Sequence, residues 1–311
     1  MILVLRALGV GDLATATPAL RGLRNAFPDR AIVLAAPAWL APLARLTGAV
    51  DRLVPVDGLD AHRWRLAGVE LAVNLHGRGP ESHRLLAAAR PGRMYAFANA
   101  AAGHLDGPRW MFEEHEVARW CRLLDWYGIA TDPADLDLLP PAGVRYGRTI
   151  VHPGAKSPTR RWPVDRFATV ARALSAAGHR VVVTGSVAER PAALAVAHAA
   201  GLPADAVLAG RTDLAGLAGL VAGAQLVVSG DTGIAHLATA YRTPSVVLFG
   251  PVPPRLWGPP ADRPYHRALW HGHTADPGDS ASPDPHPALL QITPDEVLGA
   301  TRQIRHATTD V

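Results

Sequence analysis

Three short segments of the sequence carry residue types whose spacing suits the transfer of a group from an anionic substrate. The first is the turn Gly9-Val10-Gly11-Asp12, which follows an apolar strand and precedes a helix. A carboxylate in such a turn can accept a proton from a substrate hydroxyl, so Asp12 is a candidate general base. Because Asp also favours the start of a helix, capping is the alternative interpretation of Asp12.

The second segment is a positively charged loop that contains Lys156, Arg160 and Arg161 directly after a predicted strand. Lys156 is the only lysine among 31 basic residues, so either its position needs a compact ammonium or the lysine survived by chance. Such charges can neutralise the diphosphate of a departing nucleotide, the main electrostatic demand when a sugar leaves its phosphate. A solvated basic loop is the alternative.

The third segment runs from Ser229 to His236 and opens a helix after another apolar strand. Backbone N–H groups at the start of a helix form an anion site, so Asp231, Thr232 and Gly233 are candidates for binding a phosphate. A capping role for Asp231 or Thr232 and a place in the core for His236 are the alternatives.

The first turn also fits the pattern G-x-G-x-x-A of dinucleotide-binding folds, which would make the protein an NAD-dependent oxidoreductase. Two observations argue against this function. The Asp12 carboxylate would lie where a pyrophosphate approaches the helix, and no acidic residue ends the second predicted strand, residues 31–35, to bind a ribose.

Apolar periodicity predicts strands that alternate with helices along the whole chain. In the N-terminal half, the predicted strands are 2–5, 31–35, 53–56, 71–75 and 94–97, and the predicted helices are 13–27, 39–46, 81–89 and 114–127. In the C-terminal half, the predicted strands are 149–152, 180–184, 206–208, 226–229 and 245–249, and the predicted helices are 164–177, 188–199, 214–221 and 233–240. Residues 250–287 are predicted to be a loop rich in Pro and His, and residues 294–306 a final helix.

Apolar strands that alternate with helices predict an α/β fold with parallel sheets covered on both faces. The Pro-, Asp- and Gly-rich residues 131–147 predict the boundary between two Rossmann-like domains, 1–145 and 146–311. Because ligands bind at the carboxyl ends of parallel strands, we expect the site in a cleft between the domains. The final helix is expected to pack back on the N-terminal domain.

Composition excludes several classes of protein. The 311 residues are 49% hydrophobic and 19% charged, which is enough apolar material for two cores. The formal charge is +4 and the basic residues are spread along the chain, which argues against nucleic-acid binding. Polar residues interrupt every long apolar run, and Arg6 and Asp12 break a signal-peptide pattern, so we predict a cytoplasmic protein. The single Cys121 excludes an intrachain disulfide and a thiolate zinc cage.

The three segments, in this order, resemble glycosyltransferase family nine, the lipopolysaccharide heptosyltransferases. The residues that carry the resemblance are the Asp12 turn running into 17–20, residues 152–156 with 161–163, and residues 231–233 with His236. The resemblance covers the chain from its first residue to about residue 250. It implies a GT-B fold with two Rossmann-like domains facing a cleft. It also implies inverting transfer from a nucleotide-diphosphate sugar, typically ADP-heptose, without an essential metal.

The resemblance assigns roles to individual residues. Asp12 becomes the general base on the acceptor hydroxyl, Lys156 the stabiliser of the leaving diphosphate, and Glu189 the residue that holds the nucleotide ribose. The donor-binding candidates are Thr184, Gly185, Ser186, Glu189, Thr212, Asp231, Thr232, Gly233, His236, Arg160 and Arg161. The acceptor-binding candidates are Gly9, Gly11, His76 and Arg78.

No cofactor is expected, and two further patterns do not change this. His271, His273 and Asp276 lack the regular scaffold that metal ligands need. Asp135 and Asp137 form a D-x-D triplet, but they fall in the predicted linker, where we expect solvated carboxylates.

The expected partners are a nucleotide-sugar donor and a saccharide, lipid-linked or natural-product acceptor, and peripheral contact with a membrane is compatible with the sequence. The identity of the acceptor and the oligomeric state stay open. A nucleotide-sugar-binding protein without catalysis is an alternative beside the oxidoreductase, although the presence of Asp12 and Lys156 argues against it.

Overall fold

The computed structural model describes residues 1–59, 66–272 and 282–309, with the backbone alone beyond residue 304. The chain folds into two compact units, Met1–Leu139 and Pro140–Val311. Their division falls inside the stretch rich in Pro, Asp and Gly. Each unit is built around one five-stranded parallel sheet, so each has the α/β architecture that the alternating pattern predicts.

The sheet of the first unit places two strand ends side by side. Its strands are β1 (Ile2–Leu5), β2 (Ile32–Ala36), β3 (Arg52–Pro55), β4 (Leu71–Asn74) and β5 (Arg93–Tyr95). The strand order is β3-β2-β1-β4-β5. Strands β1, β2 and β4 are wholly buried, as expected for a parallel sheet covered on both faces. Leu5 pairs with Asn74, so the loops after β1 and β4 leave the sheet together.

The helices of the first unit are α1 (Val10–Thr15), α2 (Thr17–Ala26), α3 (Ala41–Leu46), α4 (Glu81–Ala87) and α5 (Glu116–Trp126). The prediction of one helix over 13–27 is wrong, because the helical segment begins at Val10 and breaks at Ala16. Pro18 cannot donate a hydrogen bond to the carbonyl of Ala14, and its ring would clash with that carbonyl. A new helix therefore starts at Thr17, with the proline in its first turn.

The second unit repeats the arrangement. Its strands are β6 (Arg148–His152), β7 (Arg180–Val183), β8 (Ala224–Gly230), β9 (Ser245–Leu248) and β10 (His266–Leu269). The strand order is β10-β9-β8-β6-β7, and all neighbours are parallel. His152 pairs with Ser229, so the loops after β6 and β8 leave the second sheet together.

The helices of the second unit are α6 (Val164–Ala176), α7 (Arg190–Ala200), α8 (Leu214–Ala222), α9 (Gly233–Ala240), α10 (Pro254–Trp257), α11 (Pro287–Gln291) and α12 (Pro294–Thr309). The predicted strand at 206–208 is wrong: Ala204–Ala206 form a 3-10 turn after Pro203, and Val207 alone makes a parallel bridge, to Val183. The 3-10 turn that follows Pro203 includes Ala206, the first residue of the predicted strand.

The prediction that 250–287 is entirely loop is also wrong. This segment contains α10 and the edge strand β10, which pairs with β9. Strand β10 is short, only partly buried and preceded by prolines, and its sequence lacks the continuous apolar run that identifies a central strand.

The final helix packs in the core of the second unit. Val297, Ala300 and Ile304 of α12 lie in the same apolar cluster as Leu174 of α6 and Val246 of β9. The apolar face of α12 is therefore buried within the second unit. Packing of this helix against the N-terminal domain stays a prediction.

Cys121 behaves as a small apolar core residue. It is buried beside Val117 and Leu136, and burial raises the pKa of its thiol to about 11. Within the part of the chain that the structure describes, none of the helices has the length and apolar character needed to cross a membrane.

Candidate functional site

The candidate residues lie at the one point in each sheet where the chain connections reverse direction. This point is between β1 and β4 in the first sheet and between β6 and β8 in the second. In doubly wound sheets, ligands bind beyond the carboxyl ends of the strands at such a point. Asp12 follows β1 and His76 follows β4, while the cationic loop, residues 153–161, follows β6 and Asp231 follows β8.

Asp12 lies in α1 with its two carboxylate oxygens in different surroundings. Oδ2 accepts a hydrogen bond from the Gly9 N–H at 3.0 Å, so the capping role is present. Oδ1 lies 3.6 Å from Nη2 of Arg6, and the side chain keeps 27% of its surface exposed. One oxygen is thus held by the backbone, whereas the other can meet a substrate hydroxyl. Because Asp12 occupies the Gly9 N–H, this turn is poorly suited to a pyrophosphate, and Gly11 lies within the helix.

Arg6 is the buried centre of this turn, a role that the sequence analysis missed. Its side chain is 1% exposed. Nε donates to the carbonyl of Asp12 at 2.5 Å, Nη1 donates to the carbonyl of Leu75, and Nη2 lies 3.4 Å from Oγ1 of Thr15. The available signal was a lone arginine at the end of an apolar strand, because a charge in such a place must be paired when buried.

Glu116 supplies the compensating charge and was also missed. Its Oε1 accepts hydrogen bonds from Nη2 of Arg6 at 2.9 Å and from Nε1 of Trp120 at 2.8 Å, and its Oε2 accepts one from Arg119. The guanidinium carbon of Arg6 also lies 4.7 Å from the Trp120 ring centroid. Glu116 is 110 residues from Arg6 in sequence, so no local pattern could have linked them.

His76 is a neutral hydrogen-bond donor beside Asp12. The Ala7 N–H donates to Nδ1 of His76 at 3.2 Å, which leaves the proton of the neutral ring on Nε2. The pKa of His76 is lowered to about 4, mainly by burial and also by the Arg6 guanidinium, while the Asp12 carboxylate partly opposes both. The buried Asn74 accepts the backbone N–H of His76 at 3.1 Å and so shapes this loop.

Arg78 is exposed at the far end of the same loop. Its guanidinium carbon lies 5.4 Å from the ring centroid of Phe112, and its carbonyl accepts a hydrogen bond from Asn99 at 2.9 Å. The structure thus brings His76 and Asp12 together through Arg6, whereas Arg78 lies on the surface beside an exposed aromatic residue.

In the second unit, Glu189 is packed against two glycine-containing loops. Its Oε2 accepts the Ser186 N–H at 2.7 Å. A Cβ at Gly154 would lie 2.2 Å from Cδ of Glu189, and one at Gly185 would lie 3.2 Å from its Cβ. Glycine at position 154 therefore leaves the space that the carboxylate occupies. The side chain is half-buried, so a carboxylate oxygen can meet a ligand hydroxyl at this edge of the sheet.

Thr184 and Thr212 have different surroundings from each other. Thr184 is fully buried, and its Oγ1 lies 2.9 Å from Nδ1 of His152. Burial lowers the pKa of the His152 ring. Only the backbone of Thr184 can therefore face a ligand. Thr212 is half-buried and precedes Asp213, which caps α8 by accepting the Gly216 N–H at 2.7 Å.

Asp231 is buried at the start of α9 and paired with a cation. Its Oδ2 lies 2.9 Å from Nη1 of Arg160, and its Oδ1 lies 3.9 Å from Nε2 of His236. His236 also packs edge-on against Trp257, with 5.8 Å between ring centroids. The predicted donor-binding residues Arg160, Asp231 and His236 thus form one cluster at the N-terminus of α9.

Two buried hydroxyl groups flank this cluster. Ser229 lies near the buried end of β8, and Thr232 is the N-cap residue of α9. Among the described residues, neither Oγ of Ser229 nor Oγ1 of Thr232 has a hydrogen-bond partner. Buried polar groups are normally paired, so the Thr232 hydroxyl and the N–H groups at the start of α9 are suited to an anionic ligand, whereas Ser229 is as fully buried as Thr184.

The basic residues of the cationic loop have different surroundings. Arg161 donates from Nε to the carbonyl of Ala155 at 2.9 Å and braces the loop, whereas Lys156 is exposed. Within 1–59, 66–272 and 282–309, the Lys156 ammonium has no hydrogen bond or ion pair. The buried Trp162, directly after the loop, donates a hydrogen bond from Nε1 to the carbonyl of Ile292 at 3.1 Å and holds this end of the loop in place.

Among the residues that the structure describes, no group of three or more His, Cys, Asp or Glu could hold a metal ion. His271 pairs with Glu296 at 2.8 Å, and His273 and Asp276 lie outside the described residues. The expectation of solvated carboxylates in the D-x-D triplet is wrong for Asp135, which pairs with Arg21. The arginine also donates to the backbone beside it and ties this segment to α2.

Comparison with known proteins identifies the family. The model of "Glycosyltransferase family 9 (heptosyltransferase)" matches residues 131–277. Lipopolysaccharide heptosyltransferase 2 of Escherichia coli K12 is 28% identical over 335 residues, which cover 96% of each chain. The chain is similar in sequence to glycosyltransferase family 9.

Solved structures show the same fold. The structure of E. coli ADP-heptose lipopolysaccharide heptosyltransferase II has a TM-score of 0.75 at 22% identity and covers 99% of each chain. The iron-containing dodecameric glycosyltransferase TibC from enterotoxigenic E. coli has a TM-score of 0.65 at 14% identity, over 99% of this chain and 76% of TibC. The predicted family, the enzyme class and the GT-B fold are confirmed.

We predict that His76 titrates near pH 4 and weakens the fold in acid. The unfolded chain takes up this proton near pH 6.5, so it binds more protons than the folded chain between pH 6.5 and 4. The free energy of unfolding therefore falls as the pH drops through this window, and His76→Gln should make the fall shallower.

The measurement is an imidazole ¹⁵N titration combined with urea unfolding across the same pH range. His266, whose pKa burial also lowers to about 4, is unchanged in the variant and serves as the internal comparison. A His76 midpoint near 6.5 would show that the ring is solvated and would contradict the prediction.

Proposed function

We propose that this glycosyltransferase moves a heptose from ADP-heptose to a saccharide hydroxyl of a lipopolysaccharide-type acceptor, with inversion at the anomeric carbon. The observation that carries the proposal is the partly exposed Asp12 carboxylate at the carboxyl end of the first sheet. The second unit carries a helix N-terminus with Arg160 paired to Asp231. The names of the E. coli relatives supply the sugar, the donor and the class of acceptor.

In the proposed reaction, Oδ1 of Asp12 accepts the proton of the acceptor hydroxyl as the hydroxyl oxygen attacks the anomeric carbon. The new glycosidic C–O bond forms on one face while the bond from the anomeric carbon to the β-phosphate oxygen breaks on the other. ADP leaves with the bonding electron pair, and the proton stays on Asp12 until water removes it. Negative charge thus builds on the diphosphate, where fixed positive groups lower the barrier.

We propose that the N-terminus of α9 and the cationic loop receive this charge. The sugar and the phosphates bind to Asp231, Thr232 and Gly233. His236 lies next to Asp231. Lys156 presents an exposed ammonium, whereas Arg160 is held 2.9 Å from Asp231 at the start of the helix. Both cations contribute, and Arg160 is the better placed of the two. Because side chains supply the positive charge, the proposal includes no metal.

On the acceptor side, we propose that the Nε2–H of His76 donates to a second polar atom of the acceptor while Asp12 takes the proton. Gly9 and Gly11 keep the turn close to the acceptor, and Arg78 contacts a more distant polar or anionic group. A cytoplasmic location and contact with a membrane surface stay predictions.

The first prediction from this function concerns the ribose. Gly154→Ala places a methyl group where the Glu189 carboxylate lies, and the flexible glutamate can move aside without unfolding the protein. We expect a melting temperature close to that of the wild type and a loss of most of the stabilisation that ADP gives in thermal unfolding.

Gly299→Ala, in α12 with nothing within 4 Å of the added carbon, is the matched control and should keep the full ADP shift. NAD should shift neither protein. A normal ADP shift in Gly154→Ala would remove Glu189 from the donor site, and a shift with NAD in place of ADP would favour the oxidoreductase.

The second prediction concerns the leaving diphosphate. Arg160→Ala and Lys156→Ala should each weaken ADP binding by about 10- to 100-fold, the value of a charge-assisted hydrogen bond, with the larger loss for Arg160. Binding of adenosine, which has no phosphate, should change little. Isothermal calorimetry with both ligands makes the comparison.

Arg180→Ala is the control, because this exposed arginine starts β7 and so lies at the opposite end of the second sheet. Equal losses for ADP and adenosine would mean that the two cations support the fold of the loop and do not bind the diphosphate.

The third prediction concerns the base. Asp12→Asn keeps the shape of the side chain but cannot take a proton, so we expect kcat to fall by roughly 10²- to 10⁴-fold while the ADP affinity is unchanged. The assay measures ADP release from ADP-heptose with heptose-deficient lipopolysaccharide as the acceptor.

Asp135→Asn, which alters a carboxylate paired with Arg21 elsewhere in the first unit, is the control. Turnover of Asp12→Asn near the wild-type rate would exclude Asp12 as the base. ADP-heptose binding without turnover by the wild type would favour a binding protein.

A further inference from the structure

One buried guanidinium joins the two loops that carry Asp12 and His76. Arg6 donates from Nε to the carbonyl of Asp12 at 2.5 Å and from Nη1 to the carbonyl of Leu75, the residue before His76. The next residue, Ala7, donates its N–H to Nδ1 of His76 at 3.2 Å. Two consecutive residues after β1 therefore fix both the backbone and the ring orientation of the neighbouring loop.

The other side of the guanidinium is fixed by charge. Glu116 accepts from Nη2 of Arg6 at 2.9 Å and is itself held by Trp120 and Arg119. All three charged side chains are less than 10% exposed. A buried charge that loses its partner is strongly unfavourable, so Arg6 has little freedom to turn away from this arrangement. The planar fork of arginine donates in several fixed directions at once, which a lysine ammonium cannot reproduce.

We propose that Arg6, held by Glu116, is a positioning residue that sets the mutual orientation of the Asp12 carboxylate and the His76 imidazole toward the acceptor. Arg6 is buried below both groups and acts through them. The inference rests on the proposed function of Asp12 as the base, but its structural part can be measured without any reaction.

The test uses Arg6→Lys with Arg119→Met as the matched control. Both variants remove a guanidinium from the same carboxylate, Glu116, but Arg119 donates to the carbonyls of residues 111, 112 and 114 and not to the loops of Asp12 and His76. A purely structural role predicts that the two variants behave alike. A positioning role predicts similar melting temperatures and different behaviour of the two loops.

The first readout is the pair of imidazole ¹⁵N shifts of His76, which needs no substrate. We expect the wild type and Arg119→Met to show the neutral form with its proton on Nε2. In Arg6→Lys, we expect a mixture of both neutral forms, because the hydrogen bond from Ala7 is no longer held in place. Wild-type shifts in Arg6→Lys would overturn the proposal, whatever reaction the protein catalyses.

The second readout is turnover of ADP-heptose with heptose-deficient lipopolysaccharide. Arg6→Lys should lower kcat by about 10²-fold, since displacement of a catalytic group by about 1 Å costs this much, with the KM for ADP-heptose unchanged. Arg119→Met should keep kcat within about threefold of the wild type, a smaller change than misplacement of the base produces. Equal kcat losses in the two variants would indicate a structural role and overturn the proposal.

A double variant separates this proposal from the function on which it rests. In the Asp12→Asn background, Arg6→Lys should cause no further loss of kcat, because residues that act as one unit are not additive. A full additional loss would overturn the positioning role, whereas an unchanged rate in Asp12→Asn alone would overturn only the proposed base. If Arg6→Lys does not fold, Glu116→Gln, which keeps one acceptor oxygen for Arg6, should show the same pattern with about a tenfold loss.

Discussion

Parallel pairing of β1 with β4 and of β6 with β8 is the constraint on which both candidate sites depend. The hydrogen-bond ladders place Leu5 opposite Asn74 and His152 opposite Ser229, so loops distant in sequence leave each sheet side by side. The strands below are mostly apolar and buried, whereas the polar loop residues lie nearer to solvent. The register of a few backbone hydrogen bonds therefore decides which reactive side chains become neighbours.

Sequence reasoning predicted this framework because its signals are local. Apolar strands, glycine turns and helix starts each lie within a few residues, and the motifs around Asp12, Lys156 and Asp231 lie in order along the chain. The errors arose where a local pattern was ambiguous. Pro18 broke an otherwise continuous helical pattern, and the partly buried β10 was too short and polar to be recognised as a strand.

The charge cluster beneath Asp12 could not be predicted, because its partners meet only after folding. Arg6 and Glu116 come from the end of the first strand and the start of a helix more than a hundred residues later. The arginine at the end of an apolar strand indicates that a buried charge needs a partner, but the sequence does not show which charge that partner is. Similarly, the sequence identified Lys156 by its rarity, but only the structure shows Arg160 beside Asp231. The fold decides which distant charges become partners, so long-range ion pairs cannot be predicted before the topology is known.

The hydrogen bond from Trp162 to the carbonyl of Ile292 spans 130 residues and has a consequence for the order of folding. Arg166 reinforces the same anchor by donating to this carbonyl at 2.8 Å. During synthesis, β6 and the cationic loop leave the ribosome long before Ile292 does, although domains tend to fold as units from the N-terminus. The loop that carries Lys156 and Arg160 therefore gains its final support only after Ile292 has left the ribosome, when the first unit has already had time to fold.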